Sequence, residues 1–150
     1  MLTQLINTYG VDNFAIIAQA GDDFSDIWAS LTASLNYGTP KYLVCCIGMN
    51  TAYPATYYEY MKRLEIVCGQ KGIELILCTI PYPENGTKEG INNIVRASGH
   101  RYIDLYASVS SDDQGTWYPG YCDDGVHPTL IGAKAMAARI MLDLQEILDY

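Results

Sequence analysis

Residues 41–50 read Lys-Tyr-Leu-Val-Cys-Cys-Ile-Gly-Met-Asn, an unbroken apolar run at 42–47 closed by Gly48. A strand exposed on one face alternates polar and apolar residues. A run without alternation predicts a strand covered on both faces, as in a parallel sheet. A second such run, 73–80 (Ile-Glu-Leu-Ile-Leu-Cys-Thr-Ile), stops at Pro81 and Pro83. Between the two, residues 55–69 carry Tyr58, Met61, Leu64 and Val67 or Cys68 at helical spacing. Parallel strands need a crossover of this kind, so the three segments predict a strand–helix–strand unit.

The same alternation extends in both directions. Upstream, 2–9 reads as a short helix ending at Gly10, and 14–18 as a short strand ending near Gly21. Residues 23–35 place Phe24, Ile27, Trp28, Leu31 and Leu35 on one helical face, with Asp23 or Ser25 as cap. Downstream, 87–97 reads as a weaker helix, 101–106 as a short strand and 128–148 as a long closing helix. The pattern predicts one α/β domain over 1–150, a three-layer α/β/α sandwich around a mainly parallel sheet. Ligands of such sheets bind at the carboxyl ends of the strands. That directs attention to loops 19–25, 48–54, 81–87 and 112–127.

Composition narrows the function classes. In 150 residues, 49% are hydrophobic and 17% charged, a globular balance. The net charge of −8, without a run of Lys or Arg, argues against a nucleic-acid or anionic membrane partner. No apolar stretch has the length of a membrane span, and the amino terminus lacks the form of a signal peptide, so a cytoplasmic location is expected. The five cysteines, 45, 46, 68, 78 and 122, are odd in number and lack CxxC spacing, which predicts buried, reduced thiols. With only His100 and His127 as histidines, no metal site is expected.

Three constellations carry chemistry. The first is Asp124-Gly125-Val126-His127-Pro128, ahead of the closing helix. An Asp three residues before a His, across a glycine turn, can hold Nδ1 of the ring and leave Nε2 as general base. The same five residues also suit a plain surface turn before a helix, with Pro128 in its first turn. The second is Gly48-Met49-Asn50, where an Asn at a strand end can aim its amide at a developing oxyanion. A strand-end turn is its simpler reading. The third is Gly21, whose backbone N–H can be a further oxyanion donor.

Their order resembles blocks two, three and five of the SGNH (GDSL-type) serine hydrolases. The flanks "IIAQAGDDFSDIWASL", "KYLVCCIGMN", "IELILCTIPYP", "YIDLYAS" and "DDGVHPTLIGAKAMAARI" are similar to that family from about Leu2 onward. The resemblance implies a flavodoxin-like SGNH architecture, with His127 as general base and Asp124 as its orienting carboxylate. It implies an oxyanion hole of Gly21 N–H and the Asn50 side chain. The implied reaction is hydrolysis of a small-molecule ester or acylated carbohydrate without cofactor. Two departures stand out. Thr51 follows Asn50 where the family has Asp. The first block, with its strand and the Gly-Asp-Ser nucleophile, has no counterpart, so the chain is expected to be truncated at its amino terminus and weak or inactive alone. The gap leaves three resolutions: a longer parent, direct pairing of strands 14–18 and 42–47, or a strand from another chain, as in a homo-oligomer. Internal substitutes for the nucleophile are poor. Ser25 reads as a capping residue, Cys45 and Cys46 as inert strand thiols, and Cys122 only as a sequence neighbour of His127. The competing class is a non-catalytic SGNH-like domain that binds a ligand or partner. Tyr53, Tyr57, Tyr58, Trp117, Tyr118 and Tyr121 near these loops suit a sugar or acyl pocket, or ordinary packing.

Overall fold

The computed structural model describes residues 7, 10, 13, 15–81, 88–110 and 115–148. The helix expected at 2–9, the start of the 14–18 strand and most of loop 81–87 lie outside the described residues, as do 112–114 of the last loop. The chain groups into two compact units, one of residues 17–80 and 88–102, the other including 103–150.

The first unit follows the strand–helix logic of the sequence. Helix α1 (Phe24–Tyr37) starts at Asp23, whose carboxylate accepts the N–H groups of Ser25 and Asp26 while Asp26 reaches back to the Asp23 N–H. That reciprocal cap satisfies donors that a helix start leaves unpaired. Strand β1 (Tyr42–Cys45) leads to α2 (Pro54–Lys71), which has Pro54 in its first turn. Gly72 ends α2 at φ +67, a left-handed position that glycine takes without a Cβ penalty. Strand β2 (Glu74–Cys78), helix α3 (Glu89–Ala97) and strand β3 (Arg101–Ile103) complete a sheet of order β1-β2-β3. β1 and β2 run parallel, with Cys45 opposite Leu77 at the end of the ladder.

One face of this sheet, Leu43, Cys45, Leu75 and Leu77, packs with Phe24, Leu31 and Leu35 of α1, Tyr57, Met61, Leu64 and Cys68 of α2, and Ile91 and Val95 of α3. On the opposite face Ile76 and Cys78 are fully buried, but Val44 is 39% exposed and Cys46 is exposed. The expectation of a strand covered on both faces therefore holds for β2 and fails for 42–47. β1 has one ladder neighbour among the described residues, and an edge strand keeps part of a face open.

Other boundaries shift for local reasons. Residues 15–19 form no strand, and none of the described residues pairs with them in a ladder; Ile16 is 57% exposed. Pairing of 14–18 with β1 is thus not seen among the described residues. On α2 the buried stripe is Tyr57, Met61, Leu64 and Cys68, one position off the expected Tyr58, which is half exposed. Segment 101–106 turns helical after Ile103, because Asp104 caps α4 (Leu105–Val109) by accepting the Ala107 N–H at 3.1 Å.

In the second unit α4 packs against α5 (Leu130–Leu148). Tyr106, Val109, Ile140 and Leu144 are among its buried residues. α5 starts two residues later than expected. Pro128 instead pairs with Cys122 in an antiparallel bridge, which keeps it in extended backbone.

Candidate active site

The second unit holds the Asp124–His127 turn. Thr129 anchors it: its N–H reaches the Tyr121 carbonyl at 2.8 Å and its hydroxyl the Gly120 carbonyl at 2.7 Å. Gly125, at φ +78, lets the chain double back. One carboxylate organises the loop. Asp124 Oδ1 accepts the N–H of Val126 at 2.9 Å and of His127 at 2.7 Å, and Oδ2 meets His127 Nδ1 at 2.8 Å. These bonds, the His127 backbone N–H foremost and the His127 ring next, hold the Asp124 carboxyl well below the usual carboxylate range. An ionised carboxylate on Nδ1 makes that nitrogen the protonated one and leaves the Nε2 lone pair to act as a base. The imidazole is 81% exposed, so Nε2 is open to an incoming group.

The first unit holds Gly21 and Asn50. Asn50 Nδ2 donates to the Asp22 carbonyl at 3.1 Å, which ties the end of the Gly48 turn to the residue after Gly21. An amide nitrogen has two hydrogens, so one such bond leaves a second donor. Gly21 sits at φ +86. Thr51, the departure from the family pattern, is fully buried. Its hydroxyl accepts the Phe24 N–H at 3.3 Å and its carbonyl accepts Lys88 Nζ at 2.6 Å. It therefore fixes the loop that carries Asn50. Gly48 is required by packing as well as by its φ of +136, since a Cβ there would meet Ile80 and Tyr57 at 3.1 and 3.2 Å.

The structure thus brings Asn50 together with the Gly21–Asp22 segment in one unit and Asp124 together with His127 in the other. Of the internal nucleophile candidates, Ser25, Cys45 and Cys122 are otherwise engaged, whereas Cys46, expected to be an inert strand thiol, is exposed. Ser25 Oγ donates to the capping Asp23 carboxylate at 2.6 Å. Burial pushes the Cys45 thiol up to about 12 and raises that of Cys122, whose Sγ faces Asp124 Oδ1 at 3.7 Å. Among the described residues no group of three His, Cys, Asp or Glu is placed to hold a metal ion, and no helix is long and apolar enough to cross a membrane.

Comparison with solved structures gives a consistent answer. An acylhydrolase from Bacteroides fragilis matches 97% of this chain and 79% of its own, with a TM-score of 0.76 at 15% identity. A GDSL-like lipase from Bacteroides thetaiotaomicron matches 85% and 73%, with a TM-score of 0.69 at 16% identity. The fold is that of the SGNH hydrolases. An acetylxylan esterase from Geobacillus stearothermophilus has the same SGNH fold, matching 82% of this chain and 68% of its own at a TM-score of 0.62 and 18% identity. No family model and no curated protein sequence matches.

Within the SGNH fold, the roles of three residues escaped the sequence reading. Asn92 is fully buried and bonds both backbone groups of Ile80, accepting its N–H at 2.7 Å and donating to its carbonyl at 3.0 Å. It thereby acts as a ladder partner just beyond β2. The signal was there: a polar residue between Ile91 and Val95 on an apolar stripe. Thr51 could not be read from pattern, because its partner Phe24 is 27 residues away. Gly132, in the first turn of α5, is needed because a Cβ would lie 2.3 Å from the Tyr121 carbonyl. Of the six aromatics, Tyr57 and Trp117 are buried, while Tyr53 and Tyr118 are 70% and 38% exposed.

Proposed function

We propose that this chain is the base-bearing and oxyanion-bearing part of an SGNH hydrolase that acts on carboxylic esters with small acyl or acetyl groups. The observation that carries the reading is the Asp124–His127 pair, 2.8 Å apart through Nδ1 on an exposed ring. His127 Nε2 takes the proton of a nucleophilic hydroxyl. That oxygen attacks the ester carbonyl, and the Gly21 N–H and the Asn50 amide stabilise the resulting oxyanion. The imidazolium then protonates the leaving alcohol, and water repeats the sequence to release the acid. Acylated carbohydrate is the favoured substrate class, supported by the fold shared with an acetylxylan esterase and by the exposed Tyr53 and Tyr118. The nucleophile is not evident in residues 1–150.

Loss of the nucleophile from a well-studied serine hydrolase costs about 10⁶ in kcat, and the rest of the site keeps only about 10³–10⁴ over water. Residues 1–150 alone should therefore turn over p-nitrophenyl acetate at the slow background of stray thiols and imidazoles, equally in wild type, Ser25→Ala and His127→Ala. Vigorous turnover lost in both variants would make Ser25 the nucleophile and overturn the assignment. These residues supplied with a Gly-Asp-Ser segment, from the same or another chain, should hydrolyse the ester and lose about 10⁴-fold or more on His127→Ala. Binding of the ester by that assembly without turnover would establish the binding module instead.

A further inference from the structure

Adjacent Cys45 and Cys46 have opposite fates, because successive side chains of a strand point to opposite faces. Cys45 joins the core beside Cys68, and burial pushes their thiols up to about 12 and about 11. Cys46 is exposed. The β1–β2 ladder ends with Cys45 opposite Leu77, so one step further Cys46 comes opposite Cys78. Residues opposite one another on parallel strands share a face, at a strand spacing of about 4.8 Å. A disulfide spans Cα atoms about 4.4–6.8 Å apart, so neighbouring strands already hold these two cysteines at bridging distance. Cys78 is fully buried, so an oxidant in solution reaches it only through Cys46.

We propose that Cys46 and Cys78 form a cross-strand dithiol that closes to a disulfide, with Cys46 meeting the oxidant and Cys78 resolving it. The Cys78 thiol donates to the Cys46 sulfur, which lowers the Cys46 pKa and favours the attacking thiolate. The oxidant is a low-molecular-weight disulfide. The Cys46 thiolate attacks one of its sulfurs, forming a mixed disulfide and releasing one small thiolate. Cys78 then loses its proton to solvent and attacks the Cys46 sulfur, releasing the second small thiol. Two protein thiols are oxidised and one small disulfide is reduced to two thiols. The bond ties the residue two before Gly48 to the end of β2, at the root of the turn that carries Asn50. The proposal is independent of the esterase reading.

The test treats the whole chain with oxidised glutathione, traps remaining thiols with N-ethylmaleimide and maps tryptic peptides. Wild type should lose two hydrogens, retain no glutathionyl adduct and show residues 42–62 linked to 72–88. Cys45→Ser should keep that link and Cys46→Ser should lose it. Cys78→Ala should stop at a glutathionyl adduct on Cys46. Wild type that stops at the adduct, or a link that survives Cys46→Ser, overturns the proposal. If Cys78→Ala does not fold, the two serine variants, one at an exposed position, still decide it.

Discussion

Asn92 offers a sharp test of how the fold supports its loops. Its side chain pairs both the N–H and the carbonyl of Ile80, at 2.7 and 3.0 Å, at a fully buried position. Asn92→Leu keeps the branched outline of four side-chain heavy atoms and raises the helical propensity, but removes both partners. Each buried backbone group left unpaired costs about 1–3 kcal/mol. Two such groups give about 2–6 kcal/mol, less whatever relaxation recovers, against a total stability of about 5–15 kcal/mol for a domain. With a urea slope of about 2 kcal/mol/M, a loss of 3 kcal/mol lowers the midpoint by about 1.5 M. Urea unfolding followed by circular dichroism reads this directly. The more apolar leucine should make the protein less stable, contrary to a hydrophobicity argument. A loss below about 0.5 kcal/mol would refute the reasoning that Asn92 serves as a ladder partner.

Three further outcomes are expected. Gly132→Ala places a Cβ 2.3 Å from the Tyr121 carbonyl; the forced shift should cost about 1–3 kcal/mol and lower Tm by several degrees, and an unchanged Tm in a thermal melt contradicts the close approach. Asp124 is held below its ordinary value of 3.8 by donors present only in the folded turn; its stabilising contribution is complete above that value and is lost as pH falls through the lower folded pKa, so a carboxyl titration by NMR with a midpoint at or above 3.8 contradicts the geometry. Thr51→Val removes the acceptor for the buried Phe24 N–H; it should cost about 1–3 kcal/mol, and full stability in urea would show that bond to be unimportant.

Much of the fold was legible because it rests on local period. An unbroken apolar run at 42–47 and a mainly apolar one at 73–80 mark parallel strands, and the helical stripe between them marks a crossover. The Asp124–His127 pair was legible for the same reason: three residues and a glycine turn suffice to close it, and one carboxylate satisfies both backbone N–H groups and the ring. Tertiary contacts decided the rest. Val44 and Cys46 look buried in sequence, yet they are open because β1 lies at the edge of the described sheet, and an edge is a property of strand order rather than of composition. Residues 15–18 look like a strand but form none, since a strand exists only where a neighbour accepts its hydrogen bonds. Asn92, Thr51 and Gly132 gain their roles from Ile80, Phe24 and Tyr121, residues 12, 27 and 11 positions away. Buried backbone groups must be paired and close-packed atoms must not overlap, and only the folded chain determines which distant residue meets each demand.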